Sequence, residues 1–239
     1  MGGLGQEVVR ELRSRGVETV PASRRTGVDL GTGKGLTEAL TGADVIVHAA
    51  SHKFRYRTVD LGGTRRIIAE LREVDSRAHV IYTSIVGADY NPFPYFRAKR
   101  ACEMVLRNSD LPVTVVRATQ FHELIATVAG TARWPVAFVP RRIPLQPCDR
   151  TWIAGEIADI ALAGAPDGYR RSPDLAGPEV LTVDDAIRLL AEHSGRKAPK
   201  VVSLPAVGGT LKALAAGINL PGQDARTGGR TFGDWLKSR

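Results

Sequence analysis

Apolar positions along this chain switch between two spacings. Leu4, Val8, Val9 and Leu12 recur on one face of a helix running from Leu4 to Arg15. Val17-Glu18-Thr19-Val20 reads as a strand, Asp29-Leu30 closes a short extended segment, and Leu36 to Leu40 is a short helix. Val45-Ile46-Val47-His48 is a buried strand opening into Ala49-Ala50-Ser51. Thr58 to Val74 is a helix with Ile67, Ile68 and Leu71 as its stripe, followed by a strand from Val80 to Thr83. Tyr95 to Asn108 is the next helix and Val113 to Val116 the next strand. Continuous apolar strands alternating with amphipathic helices predict an α/β fold, a doubly wound parallel sheet with helices on its faces.

Beyond Arg117 the alternation loosens. Proline is dense from Trp134 to Pro147, a segment expected to wrap the sheet edge. Helices follow at Trp152 to Ala163, Val183 to His193 with Thr182 as N-cap, and Val207 to Ala216, with a last strand at Val201-Val202. The expected division is a core over residues 1–117 and a smaller mixed lobe over 118–239.

Composition narrows the class. The 239 residues are 43% hydrophobic and 24% charged, which suits one globular α/β protein with a small appendage. The longest apolar runs, such as Ala43 to Ala50, are too short for a bilayer and carry Asp44 and His48; with no signal pattern at the amino terminus, the chain reads as cytosolic. Cys102 and Cys148 match no metal or redox spacing, and His48 and His52 lie outside any expected helix, so no metal is expected. The net charge of +8 invites a nucleic-acid reading, but the arginines are scattered singly or in pairs (Arg24-Arg25, Arg65-Arg66, Arg141-Arg142, Arg170-Arg171). A solvated basic surface that attracts anionic small molecules fits better than a nucleic-acid partner.

The chemistry gathers around Ser84, Tyr95 and Lys99. Tyr95 and Lys99 are four residues apart, so phenol and ammonium share one helix face. An ammonium beside a phenol favours the phenolate and brings proton exchange toward neutral pH. Ser84 ends a strand, where a parallel sheet presents its chemistry, and its hydroxyl can hold a carbonyl or alcohol oxygen.

Other residues point to a dinucleotide. Gly2, Gly3 and Gly5 form the second half of a G-x-G-x-x-G turn that runs straight into a helix, without the strand that normally precedes it. The fold is therefore expected to lack its first strand. A recorded start inside the gene, another segment or chain filling the place, or a fold that tolerates the loss with a damaged cofactor site would each account for this. Ser23-Arg24-Arg25 follows the second strand, at the adenosine ribose; two arginines and no acidic residue there favour a 2′-phosphate, hence NADP(H). Asp29 stands where an acidic residue contacts adenine, and Ala49 and Ala50 leave room for a backbone to approach the cofactor.

Taken together, these segments resemble the short-chain dehydrogenase/reductase superfamily, in its atypical, NmrA-like NAD(P)H-binding branch near the epimerase and dehydratase types. Val59-Asp60-Leu61-Gly62-Gly63-Thr64, Thr119-Gln120-Phe121-His122, Gly177-Pro178-Glu179 and Thr231-x-x-x-Trp235 also carry the likeness. The resemblance implies a Rossmann-like sheet with a small mixed C-terminal substrate lobe. It implies Tyr95 as general acid or base, Lys99 at the nicotinamide ribose, Ser84 orienting the substrate, Thr119 and Gln120 beside the nicotinamide, and Phe121 and His122 toward the substrate. Asp60 departs from the asparagine of many relatives, and the Ser84–Tyr95 interval is short. The leading expectation is an NADP(H)-dependent oxidoreductase acting on a small carbonyl, alcohol or activated double bond. Its rivals are a non-catalytic NADP(H) sensor with a protein partner, and a cofactor-independent dehydratase, isomerase or cyclase. A small-molecule substrate is expected, and a protein partner or homo-oligomer is compatible with the sequence.

Overall fold

The computed structural model describes residues 1–52, 54–140 and 143–239; the Arg141-Arg142 pair lies outside the described residues. In chain order the elements are α1 (Gly3–Ser14), α2 (Leu36–Leu40), β1 (Val45–His48), α3 (Gly62–Glu73), β2 (His79–Ile85), α4 (Pro94–Arg107), β3 (Val113–Ala118), α5 (His122–Ala129), β4 (Val136–Pro140) and β5 (Pro144–Leu145). They continue with α6 (Arg150–Leu162), β6 (Tyr169–Arg171), β7 (Leu175–Ala176), β8 (Leu181–Thr182), α7 (Val183–His193), β9 (Lys200–Leu204), α8 (Gly209–Ala215), β10 (Arg226–Thr227) and α9 (Phe232–Lys237). Among the described residues no helix is long and apolar enough to cross a membrane.

Two compact units emerge: residues 1–84, 94–117 and 153–172 form the first, and 85–93, 118–152 and 173–239 the second. The first is built on parallel strands in the order β1-β2-β3-β6, with Val45 facing His79 and Val113 facing Tyr169 in register. Strand β2 is buried over His79–Tyr82 and β3 along its length, as an apolar run covered on both faces should be. Leu36, Leu40, Ile67, Ile68 and Leu71 from the helices pack with Val80, Tyr82, Cys102, Leu106 and Val113 into one core. Helix α1 turns Leu4, Val8 and Leu12 inward, one turn apart.

The second unit has its own core, in which Ile125, Leu145, Leu181, Ile187, Phe232 and Trp235 meet. Here the last residue of β3, Ala118, pairs with Leu175 of β7, and β7 pairs in parallel with β10. Thr182 caps α7 as its sequence promised: its side chain accepts from the Asp185 amide, and the Asp185 carboxylate takes the Thr182 amide in return. Gly177 permits a close crossing, since a Cβ there would stand 1.8 Å from the Pro147 carbonyl oxygen.

Two expectations are corrected. Val17–Val20 is not a strand; Val20 is 72% exposed and Thr19 is held instead by the Arg13 guanidinium at 2.8 Å. A strand exists only through its ladder, and among the described residues β1 pairs with β2 alone, leaving no neighbour for this segment. The proline-dense stretch, expected to wrap a sheet edge, instead contributes two strands: β4 pairs in parallel with β9, and β5 antiparallel with β8.

Candidate active site

Helix α4 opens with Pro94, whose fixed φ and missing N–H suit a first helical position. Tyr95 and Lys99 follow one turn apart, Tyr95 half-buried and Lys99 only 3% exposed. The Lys99 ammonium donates to the Thr83 carbonyl at 3.1 Å, which ties α4 to the carboxyl end of β2. It also stands 3.4 Å from an oxygen of Asp60, which is fully buried. A buried ion pair brings little net stability because both charges lose water, so its presence here suits a positioning role.

Two phenols flank that ammonium, with ring centroids at 5.0 Å for Tyr82 and 5.8 Å for Tyr95. They are not equivalent. Burial pushes Tyr82 well above its ordinary pKa and shuts it from solvent. The Tyr95 hydroxyl instead reaches outward and meets the Ser51 hydroxyl at 3.1 Å. Of the two, only Tyr95 is partly open to solvent.

Ser84 follows the Lys99 anchor by one residue. Its hydroxyl is buried and has no hydrogen-bond partner among the described residues. A buried, unbonded hydroxyl costs about 1–3 kcal/mol, so it stands as a group awaiting a partner. The predicted trio of Ser84, Tyr95 and Lys99 thus shares the first unit, Ser84 on β2 and the other two on α4.

The predicted cofactor residues of this unit lie along its surface. Gly2 is the uncapped N-cap of α1, with Gly3 and Gly5 in the first turn. A Cβ on Gly2 would meet nothing within 4 Å. Arg24 and Arg25 are exposed in a tight turn held by the Ser23–Thr26 capping pair. Asp29 accepts the Gly31 amide at 2.7 Å, and Ala49 and Ala50 leave the end of β1. Thr119, Gln120, Phe121 and His122 belong to the second unit. There Thr119 donates to the Gln146 carbonyl at 2.6 Å, and the Gln120 side-chain oxygen is buried without a partner among the described residues. Phe121 is half-buried at the N-cap of α5, and His122 is fully buried, its ring 5.7 Å from that of Phe232 and 5.4 Å from that of Trp235. Among the described residues no group of three or more His, Cys, Asp or Glu is placed to hold a metal ion.

The family model for NAD(P)H-binding proteins matches residues 1–130. The chain belongs to the NAD(P)H-binding family. A comparison with curated proteins finds no match. Among solved structures, a nucleoside-diphosphate-sugar epimerase from Staphylococcus aureus superposes with a TM-score of 0.75 at 18% identity, covering 99% of this chain and 97% of that one. The NADPH-dependent quinone oxidoreductase of Escherichia coli, solved with NADPH, gives 0.72 at 18% identity over 99% and 96%. A triphenylmethane reductase from Citrobacter sp., solved with NADP(H), gives 0.62 at 19% identity over 92% and 81%. These neighbours share the fold of this chain.

Sequence reasoning passed over two residues that the structure brings to the site, Ser51 and Asp60. Asp60 had a usable signal: on the predicted helix it shares a face with Thr64, Ile67, Ile68 and Leu71, and a carboxylate on an apolar stripe asks for a partner.

His48 closes the floor beneath them. Its Nε2 lies 3.0 Å from the Thr64 hydroxyl, which itself donates to the Asp60 carbonyl at 2.8 Å, so the imidazole is the donor. Burial first, then the Lys99 charge, lowers its pKa from 6.5 to about 3. The unfolded chain takes up this proton below pH 6.5 while the fold refuses it. His48 therefore costs nothing at pH 7 and about 2 kcal/mol at pH 5. Urea unfolding at both values should show stability falling with pH, and His48→Gln should remove about 2 kcal/mol of that fall. An unchanged pH dependence in the variant would show that this imidazole is not buried neutral.

Proposed function

We propose that the protein is an NADP(H)-dependent oxidoreductase in which Tyr95 moves the proton at a small carbonyl, alcohol or activated double bond. The observation that carries this reading is the buried Lys99 ammonium set between the Tyr95 ring and the strand end that presents an unbonded Ser84 hydroxyl. Ser84 would donate to the substrate oxygen. Tyr95 would give or take its proton, and Lys99 would hold local positive charge beside it. A small oxygen-bearing substrate would satisfy Ser84, which no side chain among the described residues does.

The residues present fit a nicotinamide dinucleotide. The first-turn amides of α1 have no side-chain cap, and Gly2 leaves the space in front of them open, which suits a pyrophosphate. Exposed Arg24 and Arg25 suit a 2′-phosphate, Asp29 would face the adenine, and Ala49, Ala50 and Lys99 would border the ribose and nicotinamide. The group would supply the hydride; the protein would supply position, a proton and exclusion of water. The solved neighbours described as NADPH-dependent or complexed with NADP(H) support the same cofactor.

Fluorescence titration with NADPH and NADH tests the cofactor reading. NADPH should bind more tightly, and Arg24→Ala with Arg25→Ala should weaken it about 10- to 100-fold, the worth of charge-assisted hydrogen bonds, while NADH changes little. Equal affinity of the parent for both nucleotides would end the preference for NADP(H). Absorbance loss of NADPH with quinone and carbonyl panels tests turnover.

A further inference from the structure

Asp60 is surrounded by donors on every side that the structure describes. One carboxylate oxygen accepts the Ser51 hydroxyl at 2.6 Å and lies 3.4 Å from the Lys99 ammonium; the other accepts the His52 amide at 3.0 Å. An asparagine would turn an NH2 group toward one of these donors, so the pocket is built for a carboxylate. In the Ser51 contact the hydroxyl donates and the carboxylate oxygen accepts. Ser51 has a single proton, and it points at Asp60. In the 3.1 Å contact between the Tyr95 and Ser51 hydroxyls, Tyr95 must therefore be the donor. Thr64 fixes the far end by donating to the Asp60 carbonyl at 2.8 Å.

We propose that Ser51 and Asp60 are a direct proton exit for Tyr95, running from phenol to serine hydroxyl to carboxylate. The inference rests on the reading of Tyr95 as the proton-handling group. In the step, the Tyr95 O–H bond breaks as a Ser51 O–H bond forms, and the old Ser51 O–H bond breaks as an Asp60 O–H bond forms. Two bonds break, two form, and the negative charge passes from carboxylate to phenol oxygen. A phenol is a far weaker acid than a carboxylic acid, so free phenolate does not accumulate. Both transfers run together with the new bond forming at the phenol oxygen. Ser51 and Asp60 act through Tyr95 and are positioning residues. The preset direction leaves the Tyr95 lone pairs facing outward, ready to accept from a hydroxyl-bearing substrate.

N-acetylimidazole tests the exit without any nucleotide. The phenol oxygen attacks the acetyl carbon, imidazole leaves with a proton taken from water, and the phenolic proton passes to Ser51 as the Ser51 proton passes to Asp60. Acetylation of Tyr95 is followed by peptide mass mapping and divided by that of Tyr90, which is 78% exposed and serves as the internal reference. Ser51→Ala and Asp60→Asn should each lower the ratio about tenfold, and Ser51→Thr should restore it, the size of effect general base assistance provides at its lower end. Removing the Ser51 hydroxyl uncovers Tyr95, so exposure alone would raise the ratio. Asp60 is buried and its variant is exposed to misfolding; Ser51 lies at the surface, and Ser51→Ala decides the matter alone. A change smaller than threefold in Ser51→Ala overturns the exit. Nucleotide binding and turnover are read separately: a protein that binds no nucleotide yet shows the fall keeps the exit and loses the oxidoreductase reading, and the reverse pattern does the opposite.

Discussion

Tyr95→Phe should lower turnover by about 10²- to 10⁴-fold, the usual worth of a positioned general acid or base. Nucleotide affinity and unfolding midpoint should stay close to the parent's. Among the described residues the hydroxyl makes one hydrogen bond, to the exposed Ser51, and Ser51 keeps Asp60 as its acceptor when the phenol is gone. The ring, which meets Phe96 edge-on at 6.1 Å, is retained. Kinetic loss without structural loss is the signature that separates a proton-handling tyrosine from a packing one. The measurement is NADPH oxidation at saturating nucleotide with whichever quinone or carbonyl the parent reduces best. Turnover within threefold of the parent would remove Tyr95 from the chemistry. Lys99 is the poorer probe. Truncating it leaves the Asp60 carboxylate buried without its ammonium, and such losses cost about 3–5 kcal/mol, so folding and chemistry would fail together.

Much of the first unit was readable because its signals are local. Apolar runs at Val45–His48, His79–Ile85 and Val113–Ala118 are strands in any context that covers them, and the stripes of α1, α3 and α4 name their own buried faces. Spacing alone put Tyr95 and Lys99 on one side of a helix. What was hidden depends on distant partners. Val17–Val20 has strand composition, yet no ladder receives it. Val136–Pro140 becomes a strand only by meeting Lys200–Leu204, some sixty residues later in the chain, and proline on both sides masked it. Ser51 looked like the tail of a small-residue turn; its link to Tyr95 and Asp60 arises from the geometry of three separate segments. His122 carried a motif-derived role toward substrate, while its surroundings are the aromatic rings of Phe232 and Trp235, which no local pattern announces.

A large stability effect is expected one turn beyond Lys99. Glu103 of α4 receives the Arg117 guanidinium of β3 through two bonds, 2.9 Å from Nε and 2.6 Å from Nη2. Both residues are about 5% exposed, so solvent screens little of this pair. Glu103→Ala removes two charge-assisted hydrogen bonds from a buried guanidinium. The expected cost is about 3–5 kcal/mol, a large fraction of the 5–15 kcal/mol that holds a typical domain together. For a chain of this size the melting temperature should fall by about 10 °C. Replacing both partners, Glu103→Met with Arg117→Met, should recover most of the loss, because two apolar side chains of similar length owe no desolvation. Urea unfolding of the parent, the single variants and the double variant closes the cycle and isolates the coupling. A cost below about 1 kcal/mol for Glu103→Ala would mean that water reaches the pair and that α4 is fastened to the sheet by its apolar face alone. The outcome also bears on the site, because α4 carries Tyr95 and Lys99. If Glu103→Ala lowers turnover more than the unfolded fraction explains, the ion pair is setting the height of the helix against β3 as well as holding it there.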